Sequence, residues 1–185
     1  MKPAIIVIDM LEDAIKPFSL AIVPTINRLT EWARQHSIPV IFAMDSFLRG
    51  DFIFGGKMKE HCIRGTSGAE VMHPLEKRDQ DIYVPKRRFS AFFKTDLDQT
   101  LRLYQVDTLA ITGINTHWCV LNTAFDALAH DFRAYIIEDC CASFSPKINN
   151  TILEVYQNNP LNPLFKIINV DALISEYENG LHENL

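Results

Sequence analysis

Three residues far apart in the chain, Asp9, Lys86 and Cys119, have the side chains from which a covalent catalyst can be built. A thiol supplies the nucleophile, a carboxylate takes its proton, and a cation holds the charges. Each stands at or just beyond the end of a short apolar run: AIIVID (4–9), DIYVP (81–85) and TLAITG (108–113). Cys119 belongs to the stretch ITGINTHWCVLNTAFDALAH, in which Gly113 ends the run and Asn115 or Thr116 can cap a helix. Cys119 is then expected in the opening turn, where free backbone N–H groups and the helix dipole favour a thiolate. Taken singly, each residue also has an ordinary reading: a small buried cysteine, a structural carboxylate, a solvated lysine. For Cys62, Cys140 and Cys141 the ordinary reading stands alone.

The elements that must position these residues follow from periodicity. Besides the three runs above, PVIFAM (39–44), AYIIED (134–139) and LFKIINV (164–170) are β-branched and nearly continuous in apolar character. Strands of a parallel sheet covered on both faces have this character. Helical patterns alternate with them. Ile22, Ile26, Leu29 and Ala33 share one face, with Pro24 placed in the first turn. Thr95 to Asp98 reads as a capping-box-like start. Val120, Thr123, Ala124, Ala127 and Leu128 have helical spacing, and Ser145-Pro146 opens a further helix carrying Ile148, Ile152 and Val155 that stops at Asn158-Asn159-Pro160.

Alternating strand and helix imply a βαβ series with right-handed crossovers. The fold expected is α/β, a three-layer α/β/α sandwich on a mainly parallel, Rossmann-like sheet of about six strands. Residues 1–177 form one domain, 46–68 a long surface loop, and 178–185 a flexible tail. In an open parallel sheet ligands bind beyond the carboxyl ends of the strands, which adds Asp45 and Asp139 to the candidates.

Composition excludes several partners. A net charge of -5 and a basic cluster no longer than Lys86-Arg87-Arg88 give no surface for nucleic acid. No apolar run has the length of a membrane span, and the first residues lack the pattern of a signal peptide. Four cysteines without CxxC spacing point to reduced thiols and a cytoplasmic location.

The segments VIDM at Asp9, KRRFSAFFKTDL from Lys86 and TGINTHWCVLNTAFDALAHDF around Cys119 resemble the isochorismatase-like cysteine hydrolases. That superfamily includes nicotinamidases, N-carbamoylsarcosine amidohydrolases and ureide-cleaving amidohydrolases. The likeness runs over nearly the whole chain in order and spacing. It implies an Asp-Lys-Cys catalytic triad on Asp9, Lys86 and Cys119, an oxyanion hole from the backbone N–H groups of Asn115 and Cys119, and a cis Ile114–Asn115 peptide. It further implies hydrolysis of a C–N bond in a small amide or ureide through a thioester, and a homodimer or homotetramer. The alternatives are a metal-dependent nicotinamidase, an isochorismatase-type vinyl-ether hydrolase, or a non-catalytic relative that binds a ligand or senses oxidant through its thiol. Retention of Cys119 favours C–N hydrolysis.

Nicotinamidase relatives hold a metal with an Asp-x-His pair and a later His, where this chain has Asp45-Ser46-Phe47 and His61. Phe47 cannot ligate, so Asp45 and His61 remain as a degenerate pair, and no cofactor is expected. Leu11 also stands where related chains have Gln. Among the aromatic residues, Phe18, Phe47, Phe92 and Trp118, with His117, are the candidates for substrate binding, and Phe52 and Phe54 lie in the same long loop.

Overall fold

The computed structural model describes residues 1–182, with side chains through residue 180. Six strands, β1 (Pro3–Ile8), β2 (Val40–Asp45), β3 (Ile82–Lys86), β4 (Thr108–Ile114), β5 (Arg133–Ala142) and β6 (Phe165–Ile168), form one sheet. Their order is β3-β2-β1-β4-β5-β6, and every neighbouring pair is parallel. Five helices cover it: α1 (Pro17–Gln35), α2 (Leu97–Leu103), α3 (Leu121–Ala129), α4 (Pro146–Gln157) and α5 (Val170–His182).

The strand residues are apolar throughout because both faces are covered. Ile5 and Val7 enter a core with α1 and α5, while Ala4, Ile6 and Ile8 enter the opposite core with α2, α3 and α4. Side chains two apart share a face, so a continuous apolar run serves both layers at once. Pro85 is tolerated within β3 because β3 is an edge strand.

The chain builds outward from β1 through β2 to β3, then crosses back to lay β4 on the other side of β1. The reversal point of such a sheet opens a crevice beyond the carboxyl ends of its two central strands. Asp9 follows β1 there, and the segment after β4 leads to Cys119.

Several local expectations are corrected. Helix α1 begins at Pro17, so Pro24 lies inside it rather than in the first turn. Packing of Ile22, Val23, Ile26, Leu29 and Ala33 against the sheet outweighs the hydrogen bond that a proline cannot donate. Helix α2 takes Asp96 as its N-cap with no side-chain capping bond, and Thr95 instead accepts from the Leu97 N–H at 3.3 Å. In α4 the residues against the core are Leu153 and Tyr156, while Val155 points to solvent. Strand β5 runs on to Ala142, so Asp139 is part of it. Its carboxylate accepts the Val170 N–H at the start of α5 (3.1 Å), away from the crevice. Helix α5 itself went unread in the sequence. The stretch 178–185 begins inside it, and 183–185 lie outside the described residues.

Gly113 is a glycine whose absent side chain the crevice requires. Its φ is +101°, and a Cβ there would overlap the backbone carbonyl of Ile8 on β1. Gly113→Ala is expected to cost at least about 3 kcal/mol, from left-handed strain together with backbone displacement. Urea unfolding checks this, and a loss below about 1 kcal/mol would show that the β1–β4 contact is looser than described.

Candidate active site

The three suspected residues meet at the crevice. Lys86 ends β3 and its side chain is 0% exposed. Its Nζ donates to Asp9 Oδ2 at 2.9 Å, to Asp45 Oδ1 at 2.6 Å and to the Arg88 carbonyl at 3.2 Å. Asp45 reaches it because Asp45 and Lys86 are register partners at the ends of β2 and β3. Asp9 adopts a left-handed backbone (φ 52°), which carboxylate residues tolerate better than most. The turn is fixed by the Asp9 N–H on Ala43 and by Asp9 Oδ1, which accepts the Asp45 N–H at 2.8 Å. One oxygen each from Asp9 and Asp45 and the Cys119 sulfur all lie within 4.8 Å of one another. Asp45, weighed from the sequence as half of a degenerate metal pair, is thus the second carboxylate of an ionic cluster.

Cys119 lies in a wide π-helical turn, Thr116–Val120, that leads into α3. Asn115 stands at the N-cap position of this turn, but its side chain makes no capping bond. The Asn115 side chain accepts the Phe144 N–H (3.1 Å), and the Thr116 hydroxyl donates to Asn149 (2.6 Å), so both tie the turn to the chain after β5. The Ile114–Asn115 peptide preceding the turn is cis.

Electrostatics correct the expectation of a thiolate. Burial, then the charge of Asp9, pushes the Cys119 thiol well above its ordinary range. The helix dipole is outweighed because the sulfur is enclosed and faces two carboxylates. Burial alone would lower Lys86, but Asp9, Cys119 and Asp45 outweigh it and lift the ammonium well above its usual value. Asp45 is pushed up to about 7, by burial first and then by the charge of Asp9.

A cavity of about 590 Å³ opens onto this cluster. Asp9, Asp45, Asn115 and Cys119 line one end, and Phe47, Ile53, Met58, Phe89, Trp118 and Phe144 line much of the rest. Of the substrate-binding candidates, Phe47 and Trp118 are in the wall. Phe18, Phe92 and His117 are not. Phe18 packs along the α1 layer, Phe92 is buried and stacked on His130 at 4.8 Å, and the His117 ring bonds Ser143 at 3.0 Å. Phe52 projects into solvent, and Phe54 backs Phe47 edge-on at 5.1 Å. Among the cavity residues missed in the sequence, Ile53, Met58, Phe89, Phe144 and Cys62 come from connections whose aperiodic sequence carries no orientation signal. Leu11 is buried and bridges to Val71 instead of offering a polar group.

The residues that correspond to the nicotinamidase metal ligands do not fit a metal. Phe47 offers no donor atom. Asp45 Oδ1 is held by Lys86 and His61 donates Nδ1–H to the Lys59 carbonyl at 2.9 Å, so Asp45 Oδ2 and one ring nitrogen remain, fewer than the three protein ligands a zinc site usually takes. Asp9, Asp45 and Cys119 are close enough to ligate a cation, but the Lys86 ammonium already occupies the approach between the two carboxylates. A dication beside it would meet direct charge repulsion.

Residues 3–162 match the isochorismatase domain model, and the chain belongs to that family of hydrolases. It is 34% identical over 163 residues to a probable inactive nicotinamidase of Arabidopsis thaliana, covering 79% of this chain and 83% of that one. Among solved structures it is similar to an isochorismatase-like hydrolase from Alkaliphilus metalliredigens, with a TM-score of 0.87 and 30% identity over 96% of this chain and 100% of the other. The pyrazinamidase of Pyrococcus horikoshii in complex with zinc gives a TM-score of 0.80 and 26% identity over 91% and 99%.

Removing the ammonium would leave two buried carboxylates facing each other. Lys86→Met is expected to destabilise the fold by about 3–5 kcal/mol at pH 8, and by clearly less at pH 5, where the carboxyls can bind protons. Denaturant titrations at the two pH values check this. An equal cost at both would mean that charge is not what Lys86 supplies.

Proposed function

We propose that this chain is a cysteine-dependent hydrolase that cleaves the C–N bond of a small amide or ureide through a thioester on Cys119. The observation that carries this reading is the Asp9–Lys86–Cys119 cluster, buried together at one end of a largely apolar cavity. Asp9, whose carboxylate lies within 4.8 Å of the sulfur, accepts the thiol proton, while Lys86 holds the carboxylate in position. The raised thiol means that the thiolate forms by transfer to Asp9 as the substrate is engaged. Sulfur bonds to the carbonyl carbon and the oxyanion turns toward the N–H groups of Asn115 and Cys119, where one donor is typically worth about 3 kcal/mol. The C–N bond breaks, the nitrogen leaves with the proton returned by Asp9, and water then cleaves the thioester with Asp9 as base.

A redox-sensing thiol fits poorly, since sensor cysteines are exposed and low in pKa whereas Cys119 is buried and raised. A nicotinamidase that depends on zinc is disfavoured by Phe47 and by the engagement of Asp45 with Lys86. Assembly as a homodimer or homotetramer in the cytoplasm is part of the same proposal and is tested by light scattering and fractionation.

Ammonia release from a panel of primary amides and ureides tests the reading. Cys119→Ala is expected to lower turnover at least about a thousandfold while leaving the unfolding transition in place. Full turnover by that variant, or nicotinamide hydrolysis that appears only on adding zinc, would overturn it.

A further inference from the structure

Lys86 carries three N–H donors, and all are used: one on Asp9, one on Asp45, one on the Arg88 carbonyl. Two carboxylates therefore share one ammonium in a buried pocket. If both were ionised the cluster would hold a net negative charge before any reaction, and that charge would persist when the oxyanion forms, because Asp9 takes up the thiol proton in the same step. Burying unbalanced charge is costly, so closely placed carboxyls settle it by keeping a proton on one of them. The two are not equivalent. Asp9 is bonded through both oxygens, Oδ1 to the Asp45 N–H and Oδ2 to Lys86, and also faces the Cys119 thiol. Asp45 is bonded through Oδ1 alone, and its Oδ2 makes no hydrogen bond among the described residues although Asp45 lines the cavity.

We propose that Asp45 works as a neutral carboxylic acid whose Oδ2–H is a hydrogen-bond donor toward the occupant of the cavity, leaving Asp9 as the ionised partner of Lys86. The proton on Asp45 brings the resting cluster to neutrality, and with the thiol proton taken up by Asp9 the oxyanion of the first step is the only anion left to balance the Lys86 ammonium. Asp45 would thus touch the substrate at an acceptor atom, a carbonyl oxygen or a ring heteroatom. The titratable groups facing Asp45 are Asp9 after β1, Lys86 on β3, Cys119 in the π turn, and His61 and Cys62 on the loop between β2 and β3. Burial and Asp9 place its titration near 7, consistent with a protonated acid on the acidic side of neutrality.

This inference rests on the hydrolase reading for its kinetic arm but not for its spectroscopic one. With the best primary amide of the panel, wild-type kcat/KM is expected to fall about tenfold per pH unit above about 7. Asp45→Asn, whose amide mimics the neutral acid, is expected to lower kcat/KM at pH 6 a few-fold and to remove that fall. Asp45→Ala is expected to be impaired at every pH. Infrared difference spectra of wild type against Asp45→Asn, recorded without substrate, should show a protonated-carboxyl C=O band at pH 6 that is lost by pH 9. Absence of that band, or a high-pH fall that persists in Asp45→Asn, overturns the proposal. If no amide or ureide of the panel is turned over, the hydrolase reading fails and the infrared band still decides the state of Asp45.

Discussion

The buried ammonium of Lys86 is the point about which the crevice is organised. It ties the ends of β1, β2 and β3 together through Asp9, Asp45 and its own strand, and it is out of contact with solvent. A lysine is rarely enclosed in this way unless its charge is matched, and here the match is made by two acids rather than one. Two consequences follow: the two carboxyls cannot both ionise without leaving unbalanced negative charge, and the Cys119 sulfur sits where an additional anion is unwelcome. The thiol is held protonated in the resting site for that reason.

Sheet topology explains why these groups can meet at all. The reversal of strand order between β1 and β4 leaves their carboxyl ends uncovered, and Gly113 lets β4 pass close to Ile8. Register then does the local work. Asp45 opposite Lys86 puts the ion pair together without any contribution from loops. The π turn places Cys119 on the other side of the crevice, anchored through Asn115 and Thr116 to the segment after β5.

The cavity wall is of different origin. It is assembled from the long connection between β2 and β3, from Phe89, and from Phe144 before α4. These pieces adjoin the rigid cluster but are not held by the sheet ladder, so the chemistry and the shape of the ligand space can vary separately. That separation is consistent with a family whose related members carry different names while sharing this fold.

Most of the architecture was legible in the chain itself. Continuous apolar runs separated by helical periods determined a parallel, doubly covered sheet, and polar residues at the run ends determined which three side chains to watch. The remaining features depend on quantities that local pattern does not carry. Pro24 inside α1 and the unread α5 depend on packing against distant strands. Phe18 and Phe92 look like Phe47 in sequence but pack into the two cores instead of the cavity, because the packing of helix and loop against the sheet decides direction. The partnership of Asp45 with Lys86 and the protonated state of Cys119 were decided by tertiary structure alone. Charge balance depends on which groups are buried together, and that is a property of space rather than of neighbours along the chain.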